Sequence, residues 1–292
     1  MADALVEDVV NEPPKRLGSL QRFIRHRLAF FGLIIIAILL IGSALAPWLA
    51  PFDPDDIDIV NRYAPPLSPG HWLGSDDLGR DVLSRLMFAG RISLSVGISA
   101  MLVTVVVGFA VGASAAYHGG WVDTALMRFT DIMLCFPSVF LLLFVAAFVP
   151  PNLGSMALMI GFTCWMEIAR IIYSQILTLK QTDFIAAARM VGAPAWRIIL
   201  RQILPNSMAP IFVAATLNTA TAILLESYIS FLGYGIQPPE ASWGNMLTNA
   251  QSAFQVDPWL AIFPGLAITL AVACFNFIGD GLRDALDPKV RD

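Results

Sequence analysis

The sequence predicts an all-α membrane protein with six transmembrane helices, and two observations lead to this fold class. First, 57% of the 292 residues are hydrophobic and only 14% are charged, whereas soluble globular proteins carry about 25% charged residues. Second, the apolar residues are gathered in long uncharged stretches, and about 20 such residues form a helix that crosses the hydrocarbon core. The net charge of −4 provides no basic field for nucleic acid.

Each predicted span lies in an uncharged or weakly charged stretch between polar segments. The stretch 132–166 is too long for one crossing, and the turn-forming segment 150–154, PPNLG, divides it into two spans. A signal peptide is the alternative interpretation of the first span, but a long polar segment precedes it and Pro47 would follow the cleavage site. The predicted spans are residues 28–49, 92–117, 126–149, 155–177, 208–232 and 259–282.

The basic residues predict the orientation of these spans. Six crossings place both termini on one side of the membrane, and all but four of the 18 Lys and Arg residues fall on that side. By the positive-inside rule, that side is cytoplasmic. The opposite side carries two long loops, at about 50–91 and 233–258. The four exceptions lie in the first of these loops: Arg62, Arg80, Arg85 and Arg91.

A polar and basic segment, 183–205, separates the fourth and fifth spans and is too short to be a domain. We expect a helix over 184–191 with Thr182 as its N-cap and Asp183 in its first turn, where a negative charge suits the helix dipole. Gly192 is well placed to stop this helix. The segment therefore predicts a short helix on the cytoplasmic surface.

Two prolines delimit a second short helix in the same segment. Pro194 suits its first position, and Pro205 is expected to end it before the fifth span. The first helix has a flank without bulk, made by Ala186, Ala187 and Ala188, which favours docking into a groove on another protein. The alternative is a connector at the membrane interface, with three isoleucines dipping into the headgroups: Ile198, Ile199 and Ile203.

Small residues in the second span predict close helix packing. Gly108, Gly112 and Ala116 recur every four residues, a pattern that lets helices approach closely in lipid. We expect this contact within the bundle and not at a dimer seam. The cysteines, Cys135 and two others, lie inside apolar segments without metal-ligand spacing, so we expect no disulfide and no metal site.

Polar side chains inside spans are candidates for function, because they are costly in the bilayer. Asn218 and Glu226, eight residues apart on the fifth span, are assigned to a translocation pathway. The alternative for Glu226 is contact with water or a partner chain at the outer mouth. Glu167 and Arg170, on the fourth span, are spaced to pair with each other.

Two further charged groups are interpreted as structural. In the outer segment 75–91 we expect a short helix with an Asp81–Arg85 pair, although a contact surface for a partner is the alternative. At the inner end of the sixth span, four charged residues are expected to form a cap and salt-bridge cluster, with contact to a partner as the alternative: Asp280, Arg283, Asp284 and Asp287.

The sequence contains no catalytic or nucleotide-binding signature. It has no G-x-x-x-x-G-K-[S/T], no H-E-x-x-H and no G-x-S-x-G motif. The three histidines are scattered along the chain. We therefore expect a protein that is not an enzyme and that transports or holds another molecule.

The cytoplasmic segment resembles the "EAA" loop of ABC-transporter permeases. The shared pattern is Ala186, Ala187 and Ala188, three residues, Gly192, eleven residues, and then Leu204 and Pro205. Other segments are similar to the oligopeptide and dipeptide importer permeases of the C-subunit type: LGSDDLGRDVLSRLMFAGRISLSVG (73–97), HGGWVDTALMRFTDIMLCFPS (118–138), LESYISFLGYGIQPPEASWGNML (225–247) and FNFIGDGLRDALDPK (275–289). The family usually has Glu at the position of Ala186, so this chain departs from it there.

The resemblance implies the type I ABC importer permease fold, with Asp183, Ala186–188, Gly192, Leu204 and Pro205 coupling the chain to a cytoplasmic ATPase. It implies three domains: a cytoplasmic segment 1–27, a first helix with outer segment 28–87, and a permease domain 88–292 with the coupling loop 178–207. The expected location is the cytoplasmic membrane of a bacterium or archaeon.

The partners implied by the resemblance are a second homologous permease, two ATP-binding subunits or domains, an extracytoplasmic substrate-binding protein and membrane lipid. ATP and Mg²⁺ would be bound by the ATPase partners, and this chain would need no cofactor. The implied substrate is a dipeptide or oligopeptide. The alternatives are nickel chelates, glutathione, opines or sugars within the same subfamily, or an ATP-independent secondary transporter.

Overall fold

The computed structural model describes residues 19–286, and these residues form helices joined by irregular segments. A 3₁₀ turn, Ile59–Asn61, lies in the first outer loop, and a π-helical segment, Ile199–Ile203, precedes the fifth span. The α-helices in chain order are α1 Ser19–Arg25, α2 Arg27–Ala44, α3 Ala46–Leu49, α4 Val82–His118, α5 Gly120–Leu134, α6 Ser138–Ala146, α7 Leu153–Leu179, α8 Asp183–Met190, α9 Ala195–Ile198, α10 Leu204–Phe231, α11 Trp243–Ala253 and α12 Trp259–Leu286.

Among the described residues, five helical stretches are long and apolar enough to cross a membrane. They contain α2, α4, α7, α9 through α10, and α12. The bent pair α5 and α6 supplies the sixth segment. The all-helical fold with six membrane segments, predicted from the sequence, is confirmed.

The third membrane segment is not the single helix predicted at 126–149. α5 and α6 meet at 86°, across residues 135–137. Pro137 accounts for the break, because it lacks a backbone N–H and disfavours helical backbone in Phe136 before it. The break leaves two helix ends inside the membrane segment, where an uninterrupted helix would have none.

α4 is longer than the predicted second span, 92–117, and begins at Val82. The separate outer helix expected in 75–91 is therefore not present, because residues 82–91 form the start of α4. The domain boundary expected at residue 88 falls inside this helix. Asp81 is the N-cap, and its Oδ2 accepts a hydrogen bond of 2.8 Å from the Ser84 N–H.

The expected Asp81–Arg85 pair is replaced by other partners. Asp81 Oδ1 lies 3.0 Å from the His71 Nδ1. The guanidinium of Arg85 contacts Asp55 at 3.5 Å and Asp76 at 3.6 Å. These contacts tie the first outer loop to the start of α4. Sequence spacing could not reveal them, because Asp55 lies thirty residues before Arg85.

α4 and α7 pack closely along small residues, as the sequence predicted. A Cβ atom built on Gly108 would lie 2.7 Å from Ile168 Cγ2, and one on Gly112 would overlap the Ala169 carbonyl. Ala116, one turn further, is buried. The small residues of the second span are therefore a contact inside the bundle.

The remaining membrane helices pack around α12, which contacts both α2 and α10. The outer helix α11 covers the outer end of this group. Its Trp243 is buried, and the indole N–H donates a 3.1 Å hydrogen bond to the Leu86 carbonyl on α4. At the inner end, Asp284 lies 3.7 Å from His26, while Asp287 is outside the described residues.

The fifth span begins earlier than expected. α9, the π-helical segment and α10 form one uninterrupted helical run, Ala195–Phe231, so Pro205 does not end a helix as predicted. Pro205 lies in the first turn of α10, where a missing N–H is tolerated. The Leu204 N–H bonds to the Ile199 carbonyl five residues back, which widens the helix just before the proline.

Candidate coupling and pathway sites

The predicted coupling helix is present as α8, Asp183–Met190, and it ends at Gly192 as expected. Gly192 has φ +77°, a conformation that residues with a Cβ adopt only under strain. Its N–H bonds to the Arg189 carbonyl at 2.9 Å, and the Ala193 N–H bonds to the Ala188 carbonyl at 3.1 Å. This is a Schellman motif, and it fixes the turn between α8 and α9.

The start of α8 and the start of α9 differ slightly from the predictions. Thr182 has the extended backbone of an N-cap, but its hydroxyl donates back to the Leu179 carbonyl at 2.6 Å and does not cap α8. Pro194 is the N-cap of α9 and not its first residue. The first correction changes one hydrogen bond, and the second moves the start of α9 by one residue. The predicted arrangement of two short helices is kept.

The inner face of α8, α9 and the π-helical segment packs against the bundle and not against lipid. Ile185, Ile198 and Ile203 are fully buried and cluster with Ile172 and Ile176 of α7. Ile199 is half-buried. The interpretation of these isoleucines as an anchor in the headgroup region is therefore wrong.

The opposite face of α8 is exposed and mostly apolar, with the carboxylate residue Asp183 in its first turn. Ala187 lies on it, with Phe184 one turn before and Val191 one turn after. Phe184 is 44% exposed, Met190 83% and Val191 87%. The sequence prediction of a bare alanine flank missed these bulky residues, although their spacing of three and four could have identified them. An apolar patch of this kind on a polar connecting segment indicates a protein contact.

Two basic side chains contact the inner end of α4: Arg189 on α8, and Lys180 at the C-terminal end of α7. The guanidinium of Arg189 lies 5.2 Å from the centroid of the Tyr117 ring, within the range of a cation–π contact. Lys180 donates hydrogen bonds of 3.0 Å to the carbonyls of Ala116 and Tyr117, the last turn of α4. Arg189 therefore gives α8 a direct contact with α4, and Lys180 joins the end of α7 to the same place.

The two polar residues assigned to a pathway occupy different surroundings. Glu226 is fully buried, and its carboxylate accepts hydrogen bonds from Ser93 at 2.9 Å and Ser230 at 2.8 Å. The Ser93 Oγ also accepts a 3.1 Å hydrogen bond from the backbone N–H of Trp243. Glu226 thus joins α4, α10 and α11 within this chain. It meets neither open water nor a surface for a partner, contrary to the alternative considered above.

Asn218, in contrast, lines a cavity of about 240 Å³ halfway along α10. Glu167, which is exposed, lines the same cavity from α7. The expected Glu167–Arg170 pair is absent from the described residues, because Arg170 instead contacts Asp131 of α5 at 2.5 Å. Sequence reasoning therefore placed Glu167 in a structural pair, whereas in the structure it lines the cavity and has no ion-pair partner among the described residues.

The bundle of membrane-spanning helices, the anchored helix with an exposed outer face and the cavity halfway along α7 and α10 are features of the membrane-embedded subunit of a transport complex. A family model described as binding-protein-dependent transport system inner membrane component matches residues 80–292. The chain belongs to this family of inner membrane permease components. A second family model, the N-terminal TM domain of oligopeptide transport permease C, matches residues 18–66.

Curated relatives agree with this family over most of the chain. The oligopeptide transport system permease protein OppC of Haemophilus influenzae is 42% identical over 93% of this chain and 88% of its own length. The OppC protein of Escherichia coli K12 is 42% identical over 93% and 90%. The dipeptide transport system permease protein DppC of Alkalihalophilus pseudofirmus is 41% identical over 91% and 88%. The resemblance drawn from the sequence motifs is confirmed.

Proposed function

We propose that this chain forms half of the translocation pathway of an ATP-driven importer for dipeptides or oligopeptides. The observation that carries the proposal is the exposed apolar face of α8, made by Phe184, Ala187, Met190 and Val191. This face is the docking surface for a cytoplasmic ATPase subunit, and the buried Ile185 holds it in place from the other side. The names of the relatives, which are peptide permeases, support the substrate class.

The mechanism is alternating access driven from α8. ATP and Mg²⁺ are bound by two partner ATPase subunits or domains, and closure of the ATPase dimer moves the α8 of each permease half. In this chain the Arg189 and Lys180 contacts carry the movement to α4. The rigid turn at Gly192 and the unbroken run Ala195–Phe231 carry it to α10, and the two halves open outward.

The direction of transport follows from the orientation that the basic residues favour. The termini and α8 lie in the cytoplasm, and the outer loops face the substrate-binding protein that delivers the peptide. An open depression of about 490 Å³ lies on that outer side. Its walls include Asp53, Arg91 and Glu240, whose charges suit contact with a polar partner or substrate.

The pathway runs along the side of the bundle that the second permease subunit covers. Asn218 and Glu167 lie on it, because charged groups at membrane depth are tolerated where they face a water-filled space or a partner. Glu226 has its hydrogen bonds satisfied within the chain. Its role in this proposal is to hold α10 against α4 and α11, next to the pathway.

The test begins with purification of the chain from its native membranes in a mild detergent and identification of bound proteins by mass spectrometry. We expect a second six-span permease and P-loop ATPases. The complex is then reconstituted in liposomes with its binding protein, and uptake of radiolabelled trialanine is measured with and without ATP. Recovery of this chain alone, moving solute without ATP, would overturn the proposal in favour of a secondary transporter.

A further inference from the structure

The cavity at the α5–α6 break lies near the middle of the membrane segments. Asn218 is at the centre of α10, Leu204–Phe231, and Glu167 is at the centre of α7, Leu153–Leu179. Phe136 and Pro137 of the break form a third wall. A broken helix beside polar residues at the midplane is an arrangement that transporters use to bind polar substrates.

The polar groups of the cavity favour a ligand with N–H donors. Asn218 is 9% exposed, and its Oδ1 has no hydrogen-bond partner within residues 19–286 and is closed off from the cavity. The oxygen and nitrogen of an asparagine amide exchange places by a half-turn, and that turn presents Oδ1 to the cavity. A buried acceptor without a partner costs about 1–3 kcal/mol, which a ligand N–H on this wall would recover. The Glu167 carboxylate accepts hydrogen bonds only. The hydroxyls of Thr163 and Thr221, also on the cavity wall, can accept as well.

The charge of the cavity lining decides whether the favoured ligand donor is neutral or cationic. No Lys, Arg or His among the described residues lies within ion-pair distance of Glu167. The two helix ends at the break have opposite polarity, the negative end at Leu134 and the positive end at Ser138, so their fields oppose each other. Glu167 therefore determines the sign, and the cavity attracts a cation.

The size of the cavity limits what enters it. A volume of about 240 Å³ corresponds to about eight water molecules at ~30 Å³ each. That space holds one terminal residue of a peptide but not a whole oligopeptide. Every unblocked peptide carries one ammonium group at its amino terminus, whatever its side chains are.

We propose that the cavity is a subsite that binds the ammonium group of a peptide in transit, with Glu167 supplying the countercharge and Asn218 Oδ1 a hydrogen-bond acceptor. This inference rests on the proposed peptide function. It adds the residues and the chemical group that the pathway recognises. The same chemistry is offered by an α-ammonium group and by a lysine side chain, and the test distinguishes the two.

The test uses the complete importer in liposomes, with its binding protein saturated by trialanine, N-acetyl-trialanine or N-acetyl-Ala-Ala-Lys. For the wild type we expect faster uptake of trialanine than of N-acetyl-trialanine. Glu167→Gln and Asn218→Leu should each lower trialanine uptake, Glu167→Gln by about tenfold, as expected for one lost charge-assisted hydrogen bond. Uptake of N-acetyl-trialanine should not change. Asp56→Asn, which removes an exposed carboxylate outside both the cavity and the outer depression, is the control and should behave as the wild type.

A structural defect is separated from a substrate effect by the ATPase activity that the loaded binding protein stimulates, which should stay within about twofold of the wild type. Uptake of N-acetyl-Ala-Ala-Lys at the trialanine rate assigns the site to any ammonium group, and uptake at the N-acetyl-trialanine rate assigns it to the α-ammonium group. Wild-type rates in Glu167→Gln, or an unchanged preference for the free amino terminus, would overturn the subsite while leaving the importer intact. Failure of the wild type to take up any of the three peptides with ATP would overturn the proposed function itself.

Discussion

The guanidinium of Arg189 lies over the ring of Tyr117, with 5.2 Å between the arginine Cζ and the ring centroid. Arg189 is near the end of α8, and Tyr117 is near the end of α4. Arg189 directly precedes Met190 and Val191 of the exposed face. Tyr117 ends the helix whose glycines pack against α7. This pair therefore links the proposed ATPase contact to the most closely packed helix pair of the bundle.

Replacement of Arg189 by Gln should weaken the coupling of ATP hydrolysis to uptake without abolishing it. An exposed cation–π contact contributes about 0.5–1 kcal/mol, and the Lys180 hydrogen bonds remain. We expect about a two- to fivefold fall in the number of peptides transported per ATP. Arg197→Gln is the matched control, because Arg197 lies over its own neighbour Trp196 and links no two helices. Equal losses in both variants would contradict the transmission role of Arg189.

A charge on the exposed face of α8 should prevent docking. Ala187 lies at the centre of this face, and Ala187→Arg would put a long charged side chain into a mostly apolar contact, which is strongly unfavourable. We expect loss of ATPase subunits from the purified complex and no ATP-driven uptake, with normal membrane insertion. Ala186→Glu is the control, since related permeases usually carry Glu at that position. If Ala187→Arg retains its ATPase subunits, the docking surface lies elsewhere.

The turn after α8 should depend on glycine at position 192. Its φ of +77° is strained for any residue with a Cβ, by about 1–2 kcal/mol, and is not accessible to proline. We expect a modest loss of uptake in Gly192→Ala and complete loss in Gly192→Pro, measured in reconstituted liposomes. Gly265→Ala in α12, where an added Cβ meets nothing within 4 Å, should be neutral. Uptake in Gly192→Pro at the wild-type rate would disprove the coupling assignment.

The elements that local patterns determine could be predicted from the sequence, and those that depend on tertiary contacts could not. The spans followed from long apolar runs, and the stop at Gly192 followed from local backbone chemistry. The break at 135–137 was missed because Pro137 lies in an otherwise uninterrupted apolar run. The bulky residues of the α8 face could have been found from their spacing, but that this side is the exposed one depends on the burial of Ile185 against α7.

Charged partners were the least predictable feature. Glu167 was paired with Arg170 because the two are three residues apart, but Arg170 contacts Asp131, 39 residues away in sequence. Because Arg170 is paired with Asp131, Glu167 lines the cavity without an ion-pair partner among the described residues. The proposal therefore adds Glu167 to Asn218 as a pathway residue, and only the packing of α5 against α7 could reveal it, while the assignment of Glu226 to the pathway stays a prediction.

The packing of α4 against α7 should be sensitive to single carbon atoms. Gly112 lies so close to α7 that a Cβ would overlap the Ala169 carbonyl, and backbone cannot yield as a side chain can. We expect Gly112→Val to destabilise the folded chain by about 1–3 kcal/mol, seen as a lower midpoint of thermal unfolding in detergent. Gly42→Val in α2 is the control, because nothing lies within 4 Å of its Cβ position. Equal midpoints would show that α4 and α7 do not approach this closely.

Glu226 provides the sharpest contrast between a structural and a pathway role. Its carboxylate is fully buried and accepts hydrogen bonds from Ser93 and Ser230, so Glu226→Leu would leave two buried hydroxyls without an acceptor. Each such loss costs about 1–3 kcal/mol, and we expect a lower midpoint of thermal unfolding for the complex in detergent. Ser230→Ala removes one donor and should have a smaller effect. An unchanged midpoint together with lost uptake would return Glu226 to the pathway, because a residue that contacts only substrate contributes nothing to the stability of the empty transporter.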